Sequence, residues 1–281
     1  MSPTADNPEK KIAEIERLIL HDPGGRNVAA LLRPGDLAGA AQSLRTAERV
    51  AIVSGFFIAA AGAGETDGPP GALALGNALS RLGAAVDYVT DARNRALFEA
   101  LGAAPLHEYR PGLLEALAPT HLVAVERAGR AADGRYYDMR GTDITAFIDP
   151  LDEWFLNAGE RGVTTIGIGD GGNEVGMGRV QAEVKEGVAL GGRIGSVVPA
   201  DFLVVAGVSN WGAYGLVGAL SLLQQEELLP TGDEARRHVL NVVEAGGVDG
   251  VTRERAGTVD GVSLQDNLSL LERIREVIHR P

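Results

Sequence analysis

The residues best equipped for chemistry in this chain are carboxylates that follow short apolar runs. In "GIGDGGNEVGMG", Gly167 to Gly178, Asp170, Asn173 and Glu174 offer oxygen donors within one tight turn, a donor set that suits Mg²⁺ or Mn²⁺. The first residues also fit the G-x-G-x-x-G template of dinucleotide-binding loops. Two facts weigh against a dinucleotide. Asp170 would repel a pyrophosphate, and the acidic residue expected about 20 positions on is missing from "ALGGRIGSVVPADF". No nicotinamide or flavin is therefore expected. The structural alternative makes Asp170 a turn residue and Asn173 or Glu174 a helix cap. The density of glycine favours a site, because such backbone freedom costs folding entropy and usually serves a close approach of ligand or chain.

Other strand-end loops are also acidic. "ETDGPPGA" (65–72) carries Glu65 and Asp67 directly before a helix whose free N–H groups face the same space; its prolines fit a rigid connector equally well. "ERAGRAADGRYYDMRGTDI" (126–144) combines Glu126, Asp133, Asp138 and Asp143 with Arg127, Arg135, Arg140, Tyr136 and Tyr137. A solvated surface loop can have that composition, but length and aromatic content suit a binding loop or lid, and Arg127 or Arg140 can clamp a carboxylate bidentately. "GVSNWGAYGL" (207–216) opens a helix with Ser209 or Asn210 as N-cap. Trp211 and Tyr214, one turn apart, belong in the core by default. "VDGVT" (248–252) and "VDGVS" (259–263) place Asp249 and Asp260 in equivalent turns.

Composition narrows the chemistry. A net charge of −12 over 281 residues argues against nucleic-acid or anionic-membrane partners and for a cationic ligand or metal. There is no cysteine, which excludes disulfides, thiolate nucleophiles and Cys-based zinc sites. Lysine occurs only at Lys10, Lys11 and Lys185, and the histidines are scattered without ligand-like spacing. Lys185, beside Glu183 and Glu186, reads as a surface residue. Carboxylates must therefore carry any reaction, with arginines orienting a small-molecule substrate. "MSPTADNPEKKIAEIERLIL" has no apolar signal core, and no apolar run approaches the ~18 residues of a membrane span. A cytoplasmic location is expected.

These loops need a scaffold that presents them together. Continuous apolar runs at 49–57, 84–90, 121–126, 163–169 and 201–207 read as buried parallel strands. Helical patterns at 9–20, 70–82, 93–101, 111–118, 149–160, 174–186, 210–227, 233–245 and 263–279 accompany them. The alternation predicts a three-layer α/β sandwich with a doubly wound, mostly parallel, Rossmann-like sheet, which puts strand-end loops on the ligand-binding edge. One domain over 1–281 is expected, with 1–22 an N-terminal helix. The apolar helix "YGLVGALSLL" (214–223) suits either a central core or a homodimer face.

Taken together, "ETDGPPGA", "ERAGRAADGRYYDMRGTDI", "GIGDGGNEVGMG", "SNWGAYGL" and "GGVDGVT…TVDG" resemble the C-terminal domain of D-glutamate cyclase over about residues 12–275. The resemblance implies an α/β fold with an acidic pocket, a divalent cation, and conversion of D-glutamate to 5-oxo-D-proline with loss of water. The two-domain cyclases carry a separate N-terminal domain that nothing here matches. With that reaction in view, strand-end position and the resemblance assign the metal to Asp170 and Glu174, with Asn173 and Glu126 or Asp143 assisting. Asp67 is expected as general base and Arg140 as the α-carboxylate clamp, with Asp143 near the chemistry. Glu65, Arg127, Tyr137 and Asn210 are expected to line the substrate site. Two other classes fit the same residues: a metal-dependent phosphate-ester hydrolase, and a binding module without catalysis.

Overall fold

The computed structural model describes residues 7–280. In chain order the elements are α1 (Pro8–Leu18), α2 (Asp36–Leu44), β1 (Arg49–Ser54), β2 (Phe57–Ile58), β3 (Ala63–Gly64), α3 (Pro69–Arg81), β4 (Ala85–Thr90), α4 (Arg95–Leu101), β5 (Leu106–Glu108), α5 (Leu113–Leu117) and β6 (His121–Val125). There follow α6 (Asp152–Leu156), β7 (Thr164–Gly169), α7 (Gln181–Gly187), α8 (Gly191–Ile194), β8 (Phe202–Val205), α9 (Ser209–Gln224), α10 (Gly232–Glu244), β9 (Thr258–Val259), β10 (Val262–Ser263) and α11 (Leu264–His279).

The central sheet has the order β5-β4-β1-β6-β7-β8, and every pairing in it is parallel. Alternation along β1 sorts its side chains into two cores. Val50 and Ile52 face the layer holding α2, α3, α9 and α11, while Ala51 and Val53 face Leu113, Leu151, Trp154 and Phe155 on the other side. Both faces are covered, which explains the unbroken apolar runs of the strands. The result is the expected three-layer, doubly wound sandwich. Helix α9 is apolar nearly all round because it packs against α1, α2, α3 and α11. Its residues Ser209 to Ser221 are buried, so the 214–223 stretch is core. Trp211 donates its indole N–H to Asn267 at 2.8 Å and lies in that core with Tyr214, while Lys185 is exposed.

The differences from the sequence expectation have local causes. The 1–22 helix is observed as Pro8–Leu18, with residues 1–6 outside the described region. The first strand stops at Ser54 because Gly55 turns at φ +113°, and Phe57–Ile58 pairs with Ala63–Gly64 instead. The edge strand β5 has no counterpart in the sequence pattern, since its three half-buried residues carry too little apolar signal. The helix expected at 174–186 begins only at Gln181. Residues before it run beside β7, where a Cβ on Gly167 would sit 2.4 Å from the Val175 carbonyl oxygen. The helix expected at 149–160 is shorter, Asp152–Leu156.

That contact yields a prediction. Gly167→Ala overpacks the seam between β7 and the acidic loop and should lower stability by about 1–3 kcal/mol. A urea midpoint equal to wild type would show that the loop does not lie against the strand.

Candidate functional site

The chain reverses direction of sheet growth between β1 and β6, and a crevice opens outside the carboxyl ends of those strands, where open α/β sheets bind ligands. Loops after β1, β6 and β7 enclose a cavity of about 240 Å³. Its wall carries the carboxyl groups of Glu65, Glu126, Asp138, Asp170 and Asp260, the guanidinium groups of Arg26 and Arg140, and the apolar Phe56 and Ile58.

Glu126 and Asp170 of this wall converge with Asp67 behind it, and all three are buried. Asp67, Glu126 and Asp170 each place one oxygen within 4.8 Å of the other two. Asp67 is fixed by the start of α9: its Oδ1 accepts the Asn210 N–H at 2.8 Å and its Oδ2 the Ser209 N–H at 2.8 Å. The Ser209 N–H also reaches Asp170 Oδ2 at 3.2 Å, and the Ser209 hydroxyl donates to Glu126 Oε2 at 2.6 Å. The free N–H groups of a sixteen-residue helix thus stabilise negative charge here. Glu126 is held at φ +46°, a left-handed conformation uncommon for a side chain of its size. Such strain collects at functional sites. Gly68, at φ +96°, is obligatory opposite it, since a Cβ there would lie 2.8 Å from the Cβ of Glu126.

Burial and mutual repulsion drive these groups toward the protonated form. Burial, then the nearby Asp260 charge, pushes Asp67 up to about 7. Burial raises Glu65 well above the carboxylate range, with Asp260 adding to it, and raises Glu126 similarly, with Glu174 adding. Asp170 is raised by burial, although Arg26 pulls it back.

Arg26, in the stretch "DPGGR", lies on the cavity wall although nothing in the sequence analysis singles it out. Its guanidinium pairs with Asp170 and, at 2.7 Å, with Asp260. The Asp22 side chain accepts the Arg26 and Asn27 N–H groups at 3.0 and 2.7 Å and so shapes the turn. Gly207 N–H donates to the Ile19 carbonyl at 2.8 Å, docking the end of α1 against the sheet edge. The only sequence signal is the Asp-Pro-Gly-Gly turn with a lone arginine after it. Asp249 and Asp260, the two aspartates of the repeated Val-Asp-Gly-Val motif, are joined through backbone: Asp249 Oδ2 accepts the Gly261 N–H at 2.7 Å.

The structure distributes the expected site residues unevenly. It brings together Glu65, Asp67, Glu126 and Asp170, with Asn173 and Arg140 on the cavity wall. Glu174 is buried but turned into its own loop: Oε1 accepts the Asp170 and Gly171 N–H groups at 3.1 and 2.6 Å, and Oε2 accepts Gly172 N–H at 2.7 Å. Asn173 donates to the Tyr137 carbonyl at 2.7 Å. Asn210 knits two helix starts, its Oδ1 accepting the Gly68 and Gly71 N–H groups at 3.1 and 2.7 Å. Tyr137 donates its hydroxyl to Asp133 at 2.6 Å beneath Arg193. Asp143 is exposed, 3.4 Å from Arg135. Arg127 is fully buried and points away from the cavity, paired with Asp91 and donating to the Asp149 carbonyl at 2.6 Å.

Three comparisons bear on this geometry. Residues 15–275 match the family model "D-glutamate cyclase-like, C-terminal". The chain is 40% identical over 241 residues to the mitochondrial D-glutamate cyclase of Homo sapiens, covering 76% of this chain and 39% of that protein. The chain thus spans well under half the length of that relative. Among solved structures, RecJ in complex with Mn²⁺ from Thermus thermophilus aligns with TM-score 0.38 at 15% identity, covering 88% of this chain and 31% of that one. An exopolyphosphatase-related protein from Bacteroides fragilis aligns with TM-score 0.39 at 9% identity, covering 89% and 61%. Likenesses this loose carry no argument about the site. Among the described residues no helix is long and apolar enough to cross a membrane.

The placement of Arg127 is directly testable. Arg127→Met strands the buried Asp91 carboxylate and should cost about 3–5 kcal/mol in denaturant unfolding. An unchanged midpoint accompanied by weaker substrate binding would return Arg127 to the role of a clamp.

Proposed function

Because the chain belongs to the D-glutamate cyclase-like C-terminal family, we propose that it is a divalent-metal-dependent lyase acting on D-glutamate, giving 5-oxo-D-proline and water in the acidic cavity. The observation that carries this reading is the buried Asp67, Glu126 and Asp170 triad. Its donors are all carboxylate oxygen, it is desolvated, and Arg26 is the cation paired into it. Such a donor set fits Mg²⁺ or Mn²⁺. When bound, the ion supplies Lewis acidity that makes the γ-carboxyl electrophilic.

The remaining work falls to side chains. Ring closure joins the amine nitrogen to the γ-carboxyl carbon, and one γ-carboxyl oxygen leaves as water. Glu65, on the cavity wall, accepts a proton from the substrate ammonium when it is ionised, and the proton affinity that burial gives its carboxylate favours that transfer. The freed amine attacks, and the departing oxygen collects two protons, one returned by Glu65 and one from the nitrogen. Asp67 suits a ligand better than a base, being 1% exposed and held by the N–H groups of Ser209 and Asn210. Arg140 stands at the mouth, donating to the Val251 carbonyl at 2.9 Å. Phe56 and Ile58 supply an apolar wall for the methylenes.

Metal-free protein should show a rise in melting temperature on adding Mn²⁺ or Mg²⁺, with 5-oxo-D-proline forming from D-glutamate by chiral chromatography. Release of inorganic phosphate from a generic ester, without turnover of D-glutamate, would instead select the hydrolase class. Asp170→Asn should keep the fold by circular dichroism and remove the metal-dependent shift; a variant that still binds metal normally overturns this ligand assignment.

The raised carboxyls also set a pH dependence. A carboxyl whose pKa is higher in the folded state contributes stability below the unfolded value, near 3.8 for Asp67, and loses it as pH rises through about 7. Metal-free protein should therefore melt higher at about pH 5.5 than at about pH 8, and saturating metal should erase or invert the difference. A flat or opposite slope in the metal-free protein would mean that folding does not raise the proton affinity of the cluster.

A further inference from the structure

This inference rests on the reading of the cavity as a metal site for an acidic amino acid and concerns how that substrate is held. A substrate with two carboxylates must enter a pocket walled by five carboxyl groups, Glu65, Glu126, Asp138, Asp170 and Asp260. Two arginines line it. Arg140 is exposed at the rim, with its Nη atoms on the carbonyls of Gly250 and Val251 at 3.4 and 2.9 Å. Arg26 reaches deeper, its side chain only 14% exposed, and bonds directly to an oxygen of Asp170, one of the triad.

We propose that Arg26 is the substrate-carboxylate receptor of this site and that it exchanges partners during loading: a divalent ion arriving at Asp67, Glu126 and Asp170 displaces its guanidinium from Asp170, and the released guanidinium receives a carboxylate of D-glutamate. Guanidinium and dication compete for the same carboxylate and repel each other at this distance, so an arriving ion weakens the hold of Arg26 on Asp170. The guanidinium, once displaced, is a buried charge lacking part of its pairing, and a planar carboxylate is the partner its donor fork matches best. Its root stays fixed, because the Arg26 N–H is bonded to the Asp22 side chain at 3.0 Å. The exchange is therefore a side-chain motion between Asp260, which it can retain, and the cavity. Metal and substrate then bind cooperatively, each tightening the other by the same factor.

The test is a Mn²⁺ titration read from the electron paramagnetic resonance signal of free Mn²⁺, with and without D-glutamate, on wild type, Arg26→Gln and Arg26→Lys. Wild type should bind Mn²⁺ about 5-fold or more tightly when D-glutamate is saturating. Arg26→Gln should bind Mn²⁺ alone at least as well as wild type and lose that enhancement, with KM for D-glutamate raised more than kcat is lowered. Arg26→Lys should keep part of it and serves as the comparison should the glutamine variant not fold by circular dichroism. Full enhancement in Arg26→Gln, or loss of its Mn²⁺ binding, overturns the exchange while leaving the metal site standing. Wild type that binds Mn²⁺ without any response to D-glutamate does the same, and wild type that binds no Mn²⁺ overturns the functional reading and this inference together.

Discussion

The rest of the structure is organised around the cost of placing carboxyl groups side by side out of water. Desolvating one anion is expensive, and packing several within a few ångströms adds repulsion that a low-dielectric interior does not screen. Asp67, Glu126 and Asp170 endure that arrangement with Glu65 and Asp260 close by. The fold offsets it by three devices. The α9 start turns N–H groups on Asp67 and Asp170, Arg26 lends one positive charge, and raised proton affinity neutralises what remains. A structure selected for stability alone would have replaced these groups with apolar side chains.

Topology explains how so many segments supply one pocket. Strands β1 and β6 lie side by side, yet the chain leaves them toward opposite edges of the sheet. Their loops part at this point and leave a crevice, with the helix starts of α3 and α9 directly behind. Asn210 joins those two starts through a single amide that accepts from Gly68 and Gly71 and donates to the Thr66 carbonyl at 3.1 Å. The carboxylate positions therefore depend on helix placement, and helix placement depends on the apolar core around α9.

Much of this was legible in the sequence. Unbroken apolar runs announced a sheet covered on both faces, and the acidic strand-end loops pointed to the edge where the carboxylates gather. Asp67, Glu126 and Asp170 stood out because each follows a strand. What could not be read was direction. Glu174 and Asp170 share one turn, yet Glu174 folds back on the N–H groups of its own loop while Asp170 faces Arg26. Arg127 and Arg140 share another loop, and one is buried against Asp91 while the other stands at the rim. Spacing fixes which residues are neighbours along the chain, but side-chain orientation is decided by tertiary partners. Arg26 escaped notice for the complementary reason: its partners Asp170 and Asp260 are remote in sequence and nothing local marks it. The 174–180 stretch looked helical because its pattern ignores the backbone contact at Gly167.

The pairing of Arg26 with Asp260 joins the opening stretch of the described chain to the hairpin just before its final helix. Contacts between such distant partners carry the largest loop-closure penalty and reward the chain only after the intervening sheet exists. This side of the pocket is therefore closed by a contact that needs both ends of the described chain. Until the Asp260 hairpin is in place, Arg26 has one of its two carboxylate partners and the cavity lacks one side of its wall.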